Sequence, residues 1–174
     1  LINWSTIMAD KKIVLPGNTI ISNYYSGYLG NMPVEYALQR SVNTIPVQLS
    51  QTLTPRESFK FLTNKLGMTS LVESRKVGTN VLSDINISPM SLGGLTDGVS
   101  PLELAAAYQI FANGGYYNKP VTYVRVEDAE GNVLLENKSN PERVISEETA
   151  IIMNKMLQRV CTGKYGTGLA AKLN

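Results

Sequence analysis

Leu92-Gly93-Gly94-Leu95-Thr96-Asp97-Gly98-Val99-Ser100-Pro101-Leu102-Glu103-Leu104-Ala105-Ala106-Ala107-Tyr108 is the stretch on which the architecture turns. Ser100-Pro101-Leu102-Glu103 has the form of a capping box: the serine hydroxyl can accept from the amide of Glu103, and the glutamate can reach back. Proline stands at the first helical position, where an N–H would have no helical partner anyway. The helix behind it is expected from Leu102 to Asn113, with Gly114-Gly115 ending it. Ala105, Ala106, Ala107 and Ala112 put small side chains on several faces, which suits a helix packed closely on more than one side. Leu92-Gly93-Gly94-Leu95 lacks the Gly-Lys-Ser/Thr ending of a phosphate loop and is expected to serve tight backbone packing.

Downstream the pattern changes to β. Val121, Tyr123, Val124 and Val126 are strand formers, residues 128–132 turn the chain, and Val133-Leu134-Leu135 returns it as a hairpin. Ser146 then caps a last helix with Glu147 and Glu148 in its first turn, and Lys155 and Arg159 late, both favourable to the helix dipole. A glycine-rich turn, Gly163-Lys164-Tyr165-Gly166-Thr167-Gly168, follows.

Upstream, Thr54-Pro55-Arg56-Glu57 fits a second capping box, before a helix carrying Phe59, Leu62 and Leu66 and ended by Gly67. Residues 68–99 read as mostly irregular. A short helix is expected to start at Pro33, with Val34, Ala37 and Leu38 on one stripe, and another to span Ile45 to Gln51. Residues 1–31, rich in turn formers, read as an extended, loop-rich segment.

Composition narrows the chemistry. The chain has 174 residues, 43% hydrophobic and 17% charged, with a net charge of +2 and basic residues spread along it. That is globular composition without the clustered basic face of a nucleic-acid binder, so no nucleic-acid partner is expected. There is no histidine, which removes Ser-His-Asp and Cys-His catalysis and every histidine metal site. Cys161 stands alone and reads as a small packed side chain. Nucleophilic chemistry here would have to use lysine, serine or a carboxylate as its base.

Ser41-Val42-Asn43 is the candidate for that chemistry, at the junction of two short helices. A hydroxyl both donates and accepts, so it can relay a proton. A carboxamide two residues on can hold a substrate amide and a neighbouring ammonium together. As an isolated triplet it reads more readily as a pair of helix caps.

The surrounding strings add a resemblance. Val34-Glu35-Tyr36-Ala37-Leu38-Gln39-Arg40-Ser41-Val42-Asn43-Thr44-Ile45-Pro46-Val47, the opening stretch through Tyr108, and Phe111-Ala112-Asn113-Gly114-Gly115 resemble the class A penicillin-binding proteins, in order and over essentially the whole chain. Asn23-Tyr24, the 127–133 turn and Gly166-Thr167-Gly168 also fall in that family's order. The transpeptidases of the family use three motifs, Ser-x-x-Lys, Ser-x-Asn and Lys-Thr/Ser-Gly. Only the second is present: no serine has lysine three positions on, and Lys164-Tyr165-Gly166 carries tyrosine where a hydroxyl residue belongs.

The resemblance implies an α+β fold: the mainly helical part of the serine D,D-transpeptidase / β-lactamase-like fold, with a β-hairpin and an incomplete central antiparallel sheet. Residues 1–174 would be a single incomplete domain, with the nucleophile expected upstream of Leu1 and the third motif beyond Asn174. It implies a peptidoglycan cross-linking enzyme that attacks D-Ala-D-Ala stem peptides with a serine, is trapped by β-lactams, and works on the extracytoplasmic face of the bacterial membrane as part of a bifunctional synthase. Ser41 would relay a proton between the catalytic lysine and the leaving amine, and Asn43 would orient the substrate amide and that lysine. The expected partners are stem peptides, β-lactams and the remaining segments of the same domain; no metal or organic cofactor is implied. The rival expectation is a non-catalytic fragment or degenerate homologue acting as a binding module.

Overall fold

The computed structural model describes residues 2–171. Residues 7–33, nearly all in the segment expected as extended and loop-rich, contain four short strands. β1 (Ile7–Asp10) pairs antiparallel with β4 (Gly30–Pro33), with Ile7 opposite Pro33 and Asp10 opposite Gly30. Between them, β2 (Ile13–Leu15) pairs with β3 (Thr19–Ile21). Ile13, Leu15 and Ile21 are buried while Val14 and Ile20 face out, the alternation that a pleated strand imposes. Three or four residues are too few for that alternation to stand out from the turn formers around it.

Three short helices follow: α1 (Val34–Gln39), α2 (Thr44–Leu53) and α3 (Pro55–Lys60). Pro33 precedes α1 as its cap, with extended backbone angles, instead of opening it. Thr54 caps α3 by accepting from the Glu57 amide at 3.3 Å. Glu57 does not reach back; its carboxylate pairs with Lys60 at 3.1 Å, so this capping box is half formed. The helix widens into a π turn over Phe61–Lys65.

Residues 68–99 are more regular than their sequence suggests. They hold the hairpin β5 (Arg75–Val77) and β6 (Asn80–Leu82), then α4 (Ile87–Leu92). Asp84, fully buried, gathers the segment: one carboxylate oxygen accepts from the Val72 amide at 2.7 Å, the other from the Thr96 amide and hydroxyl, each at 2.7 Å. The expected tight backbone packing at Gly93-Gly94 is not there. A side chain at either position would meet no heavy atom within 4 Å. Gly93 instead ends α4 in the left-handed region (φ +78°), where a glycine carries no steric penalty.

α5 (Pro101–Ala112) carries the full reciprocal capping box, Ser100 with Glu103. Glu103 also accepts from the Thr69 and Ser70 amides, so the cap ties α5 to the chain that leaves the π turn. β7 (Tyr116–Tyr117) pairs with β10 (Glu142–Arg143), enclosing the hairpin of β8 (Arg125–Glu127) and β9 (Val133–Glu136). The ladder begins at Arg125; just ahead of it the Val124 carbonyl accepts from the Asn137 amide at 2.9 Å, and residues 121–123 lead into the hairpin. α6 (Glu147–Thr162), capped by Ser146, and a 3-10 turn over Leu169–Ala171 complete the described chain.

The fold is α+β, with the described strands in five two-stranded antiparallel sheets. Three clusters make the core. Phe59, Leu66, Met68, Leu71, Ala107 and Ile110 join α3 to α5. Ile13, Leu15, Ile21 and Val47 seat β2–β3 on α2. Met32, Ala37, Val42 and Ile45 lie beneath the α1–α2 junction. α5 packs on one face: Ala106, Ala107 and Ile110 are buried, while Ala105, Leu102 (64% exposed), Leu104 (46%) and Tyr108 (53%) are open.

Candidate active site

α1 ends in a six-residue bonding pattern that fixes the Ser41 backbone. The Ser41 amide donates to the Leu38 carbonyl at 3.1 Å and the Val42 amide to the Ala37 carbonyl at 3.0 Å. This is a Schellman ending, and it requires a left-handed residue at the position after the cap, usually glycine. Serine occupies it, at φ +53°. A side chain there costs about 1–2 kcal/mol in local strain, and such strain concentrates where a side chain is needed for a purpose. Ser41 is exposed.

Asn43 stands at the cap position of α2, yet makes no capping hydrogen bond. Its Nδ2 donates to the Ser22 carbonyl at 2.8 Å and its backbone N–H to Asn23 Oδ1 at 2.9 Å. That leaves the Asn43 Oδ1 as an acceptor without a partner among the described residues. Neither side chain of the pair therefore makes a capping hydrogen bond among the described residues. Ser41 and Asn43 both line a cleft of about 440 Å³ whose walls come from α1, α2, α4 and α6: Ala37, Ile45, Ser91, Met153 and Met156 among them.

Beneath the junction lies Asp10, 2% exposed, which the sequence reading did not single out. One carboxylate oxygen accepts from Thr44 Oγ1 at 2.6 Å and Asn23 Nδ2 at 3.0 Å; the other accepts from the Tyr25 hydroxyl at 2.7 Å and the Leu29 amide at 2.8 Å. Burial pushes the Asp10 carboxyl upward, but the bonds from Thr44, Tyr25, Leu29 and Asn23 outweigh it and hold it below its ordinary range. The Tyr25 hydroxyl moves the other way, raised by burial and by the Asp10 carboxylate. Asp10 thus holds Asn23, and Asn23 holds the backbone of Asn43. Nothing in a single sequence marks Asp10, which follows a three-residue apolar run and precedes two lysines like any surface aspartate.

Lys164-Tyr165-Gly166 is not in that cleft. It belongs to the turn after α6, where Tyr165 packs edge-on against Tyr36 of α1 with ring centroids 4.7 Å apart. Cys161 is half-buried on α6. Among the described residues no group of three or more His, Cys, Asp or Glu is placed to hold a metal, and no helix is long and apolar enough to cross a membrane.

The architecture is shared with solved transpeptidases. Penicillin-binding protein 1A from Haemophilus influenzae superposes with a TM-score of 0.74 at 20% identity, over 97% of this chain and 29% of that one. The D,D-transpeptidase domain of a peptidoglycan glycosyltransferase from Eggerthella lenta superposes at 0.69 and 18% identity, over 98% of this chain and 46% of that one. The penicillin-binding protein transpeptidase domain profile matches residues 2–174, and the chain belongs to that family. Penicillin-binding protein 1A of Clostridium botulinum (strain Langeland) is 37% identical over 144 residues, 81% of this chain and 16% of the relative. Penicillin-binding protein 1A of Streptococcus pneumoniae is 34% identical over 173 residues, 97% of this chain and 22% of the relative. The chain spans between about a sixth and a quarter of the length of such relatives.

Proposed function

We propose that this chain supplies the second catalytic motif of a peptidoglycan cross-linking D,D-transpeptidase, and that the serine nucleophile and its lysine come from another part of the same polypeptide. The observation that carries the reading is the α1–α2 junction: Ser41 is held in a strained conformation and Asn43 is fixed through its backbone, both on one cleft, with neither side chain making a capping bond among the described residues.

In the proposed reaction a serine attacks the penultimate D-Ala carbonyl of a stem peptide, D-Ala leaves, and the amine of a neighbouring stem resolves the acyl-enzyme. The Ser41 hydroxyl passes a proton from the catalytic lysine to the departing amine, as a group that both donates and accepts can. The free Oδ1 of Asn43 accepts from that lysine or from the substrate amide. A β-lactam takes the same path and stops at the acyl-enzyme. Such an enzyme works on the outer face of the bacterial membrane, where the stem peptides are, as part of a bifunctional synthase. Residues 1–174 are then one incomplete part of its transpeptidase domain.

The test is acylation of the polypeptide that carries this segment together with its nucleophile. Replacing Asn43 by alanine is expected to slow acylation by a fluorescent penicillin on the order of 100-fold, the loss typical of one positioned polar group. Ser88, on α4 and outside the cleft, serves as the control and is expected to tolerate alanine without change. Equal wild-type rates in both variants would overturn the assignment.

A further inference from the structure

Arg40, the residue immediately before Ser41, is enclosed by aromatic rings from three separate parts of the chain. Its Cζ lies 5.1 Å from the ring centroid of Tyr165, 5.8 Å from Tyr36 and 5.9 Å from Tyr25. All three are within the reach of a cation–π attraction, about 6 Å. Its Nε is buried and finds no hydrogen-bond partner among the described residues. Arg40 makes no ion pair among the described residues; the three tyrosines surround the cation, with the Tyr36 hydroxyl beside it.

Each ring is anchored elsewhere. Tyr25 donates its hydroxyl to Asp10, the carboxylate that also holds Asn23 and Thr44. Tyr36 belongs to α1 and meets Tyr165 edge-on. Tyr165 sits in the turn after α6, and that turn is fastened to the same end of α1: the Thr167 amide donates to the Gln39 carbonyl at 3.2 Å. A side chain added at Gly163 would meet the Gln39 carboxamide, so the turn passes close to the end of α1, while one at Gly166 would meet the Val160 carbonyl of α6 itself.

We propose that Arg40 is the positioning residue of the Ser-x-Asn junction: caged by Tyr25, Tyr36 and Tyr165, it holds Ser41 in its left-handed conformation and ties the junction to the turn after α6. The physical logic is leverage. Ser41 is in a conformation that serine does not favour, and only a surrounding that over-determines it can keep it there. The Schellman bonds fix Ser41 from the α1 side, and Asp10 through Asn23 fixes Asn43 from the other. The Arg40 side chain meets both the Asp10-linked Tyr25 and Tyr165 of the turn after α6. Losing the cage would let Ser41 relax without unfolding the helices, which have their own core beneath them.

This inference rests on the transpeptidase reading above, and its test separates the two. In the polypeptide that carries the nucleophile, acylation by a fluorescent penicillin is followed over a range of concentrations, resolving the binding constant from the acylation rate constant. Arg40→Ala and Tyr165→Ala are each expected to lower the acylation rate constant on the order of 10- to 100-fold, the effect of displacing a reacting group by about 1 Å, with the binding constant little changed. Tyr165→Phe keeps the ring and is expected to restore the rate. The double variant is expected to fall no further than the worse single one, since the two act as a unit. If Asn43→Ala slows acylation but Arg40→Ala and Tyr165→Ala leave the rate constant at wild type, the positioning role is wrong and the site stands. If they lower only the amount of active protein, at a normal rate constant, Arg40 merely supports folding and the proposal fails. If Asn43→Ala is also without effect, both readings fall. Should Arg40→Ala not fold, the Tyr165 pair decides alone, because Tyr165 is 38% exposed and its loss removes one wall of the cage without opening the core.

Discussion

Ser41 shows how one residue carries a conflict between local preference and use. Its place in the Schellman ending favours glycine, yet it holds a hydroxyl that makes no hydrogen bond among the described residues, so nothing local rewards its presence. Ser41→Gly is therefore expected to move stability and activity in opposite directions. Relief of the left-handed strain adds about 1 kcal/mol, a rise in Tm of about 2–4 °C for a domain of this size. Loss of the relay slows acylation of the nucleophile-bearing polypeptide on the order of 100-fold. Thermal melting and penicillin-binding kinetics on one preparation check both halves; a variant that loses stability would show that the hydroxyl has a structural partner.

At the scale of elements, carboxylates splice short pieces together. Asp10 joins β1 to α2 and to the 22–29 loop, Asp84 closes the 72–96 segment, and Glu103 ties α5 to residues 69–70. Burial raises the first two carboxyls, and hydrogen bonds overcome it, so both are held below their ordinary values. Glu103 is held well below its own, first by the Ser70 hydroxyl and the Ser100 amide. A carboxylate lowered on folding contributes stability that is complete above its unfolded value, near 4 for Asp and Glu, and lost as the pH falls through its folded value. The chain is therefore expected to lose stability steeply below about pH 4. Asp10→Asn, which faces four donors with one acceptor oxygen, is expected to cost about 2–3 kcal/mol at neutral pH and to flatten the acid side of the profile. Thermal unfolding from pH 2 to 7 measures it; a profile in the variant parallel to wild type would show that Asp10 does not titrate with folding.

Taken whole, the molecule has three small core clusters in place of one large one, and long apolar stretches left open. On α5 Leu102, Leu104 and Tyr108 face out; on α6 Ile151 and Ile152 are 47% and 39% exposed. α5 and α6 are neighbours, and both leave apolar side chains open; contiguous exposure of that kind marks a contact surface. The isolated 174-residue chain is expected to bind the dye ANS strongly and to self-associate at micromolar concentration. Replacing Leu102, Leu104 and Tyr108 together by polar residues is expected to reduce both. The same chain is expected to form no covalent adduct with a fluorescent penicillin, since no serine in it has lysine three positions on; a labelled band on a denaturing gel would place the nucleophile within it.

What the sequence by itself determined were features written in neighbouring residues. The capping box at Ser100–Glu103, the Ser146 cap with its acidic first turn, and the Ser41-Val42-Asn43 triplet with its flanking strings depend on contacts three or four residues apart, so spacing alone reveals them. The strands at 7–33 and 75–82 and the short α4 escaped it, because three to six residues carry too little periodicity to compete with the turn formers around them. Only the tertiary structure decided that Asp10 lies under the site, that Arg40 is caged by rings from positions 25, 36 and 165, and that one face of α5 is open. Those facts depend on which distant segments meet. An aspartate or arginine looks the same in sequence whether water or three tyrosines surround it, and burial is a property of the packed chain alone.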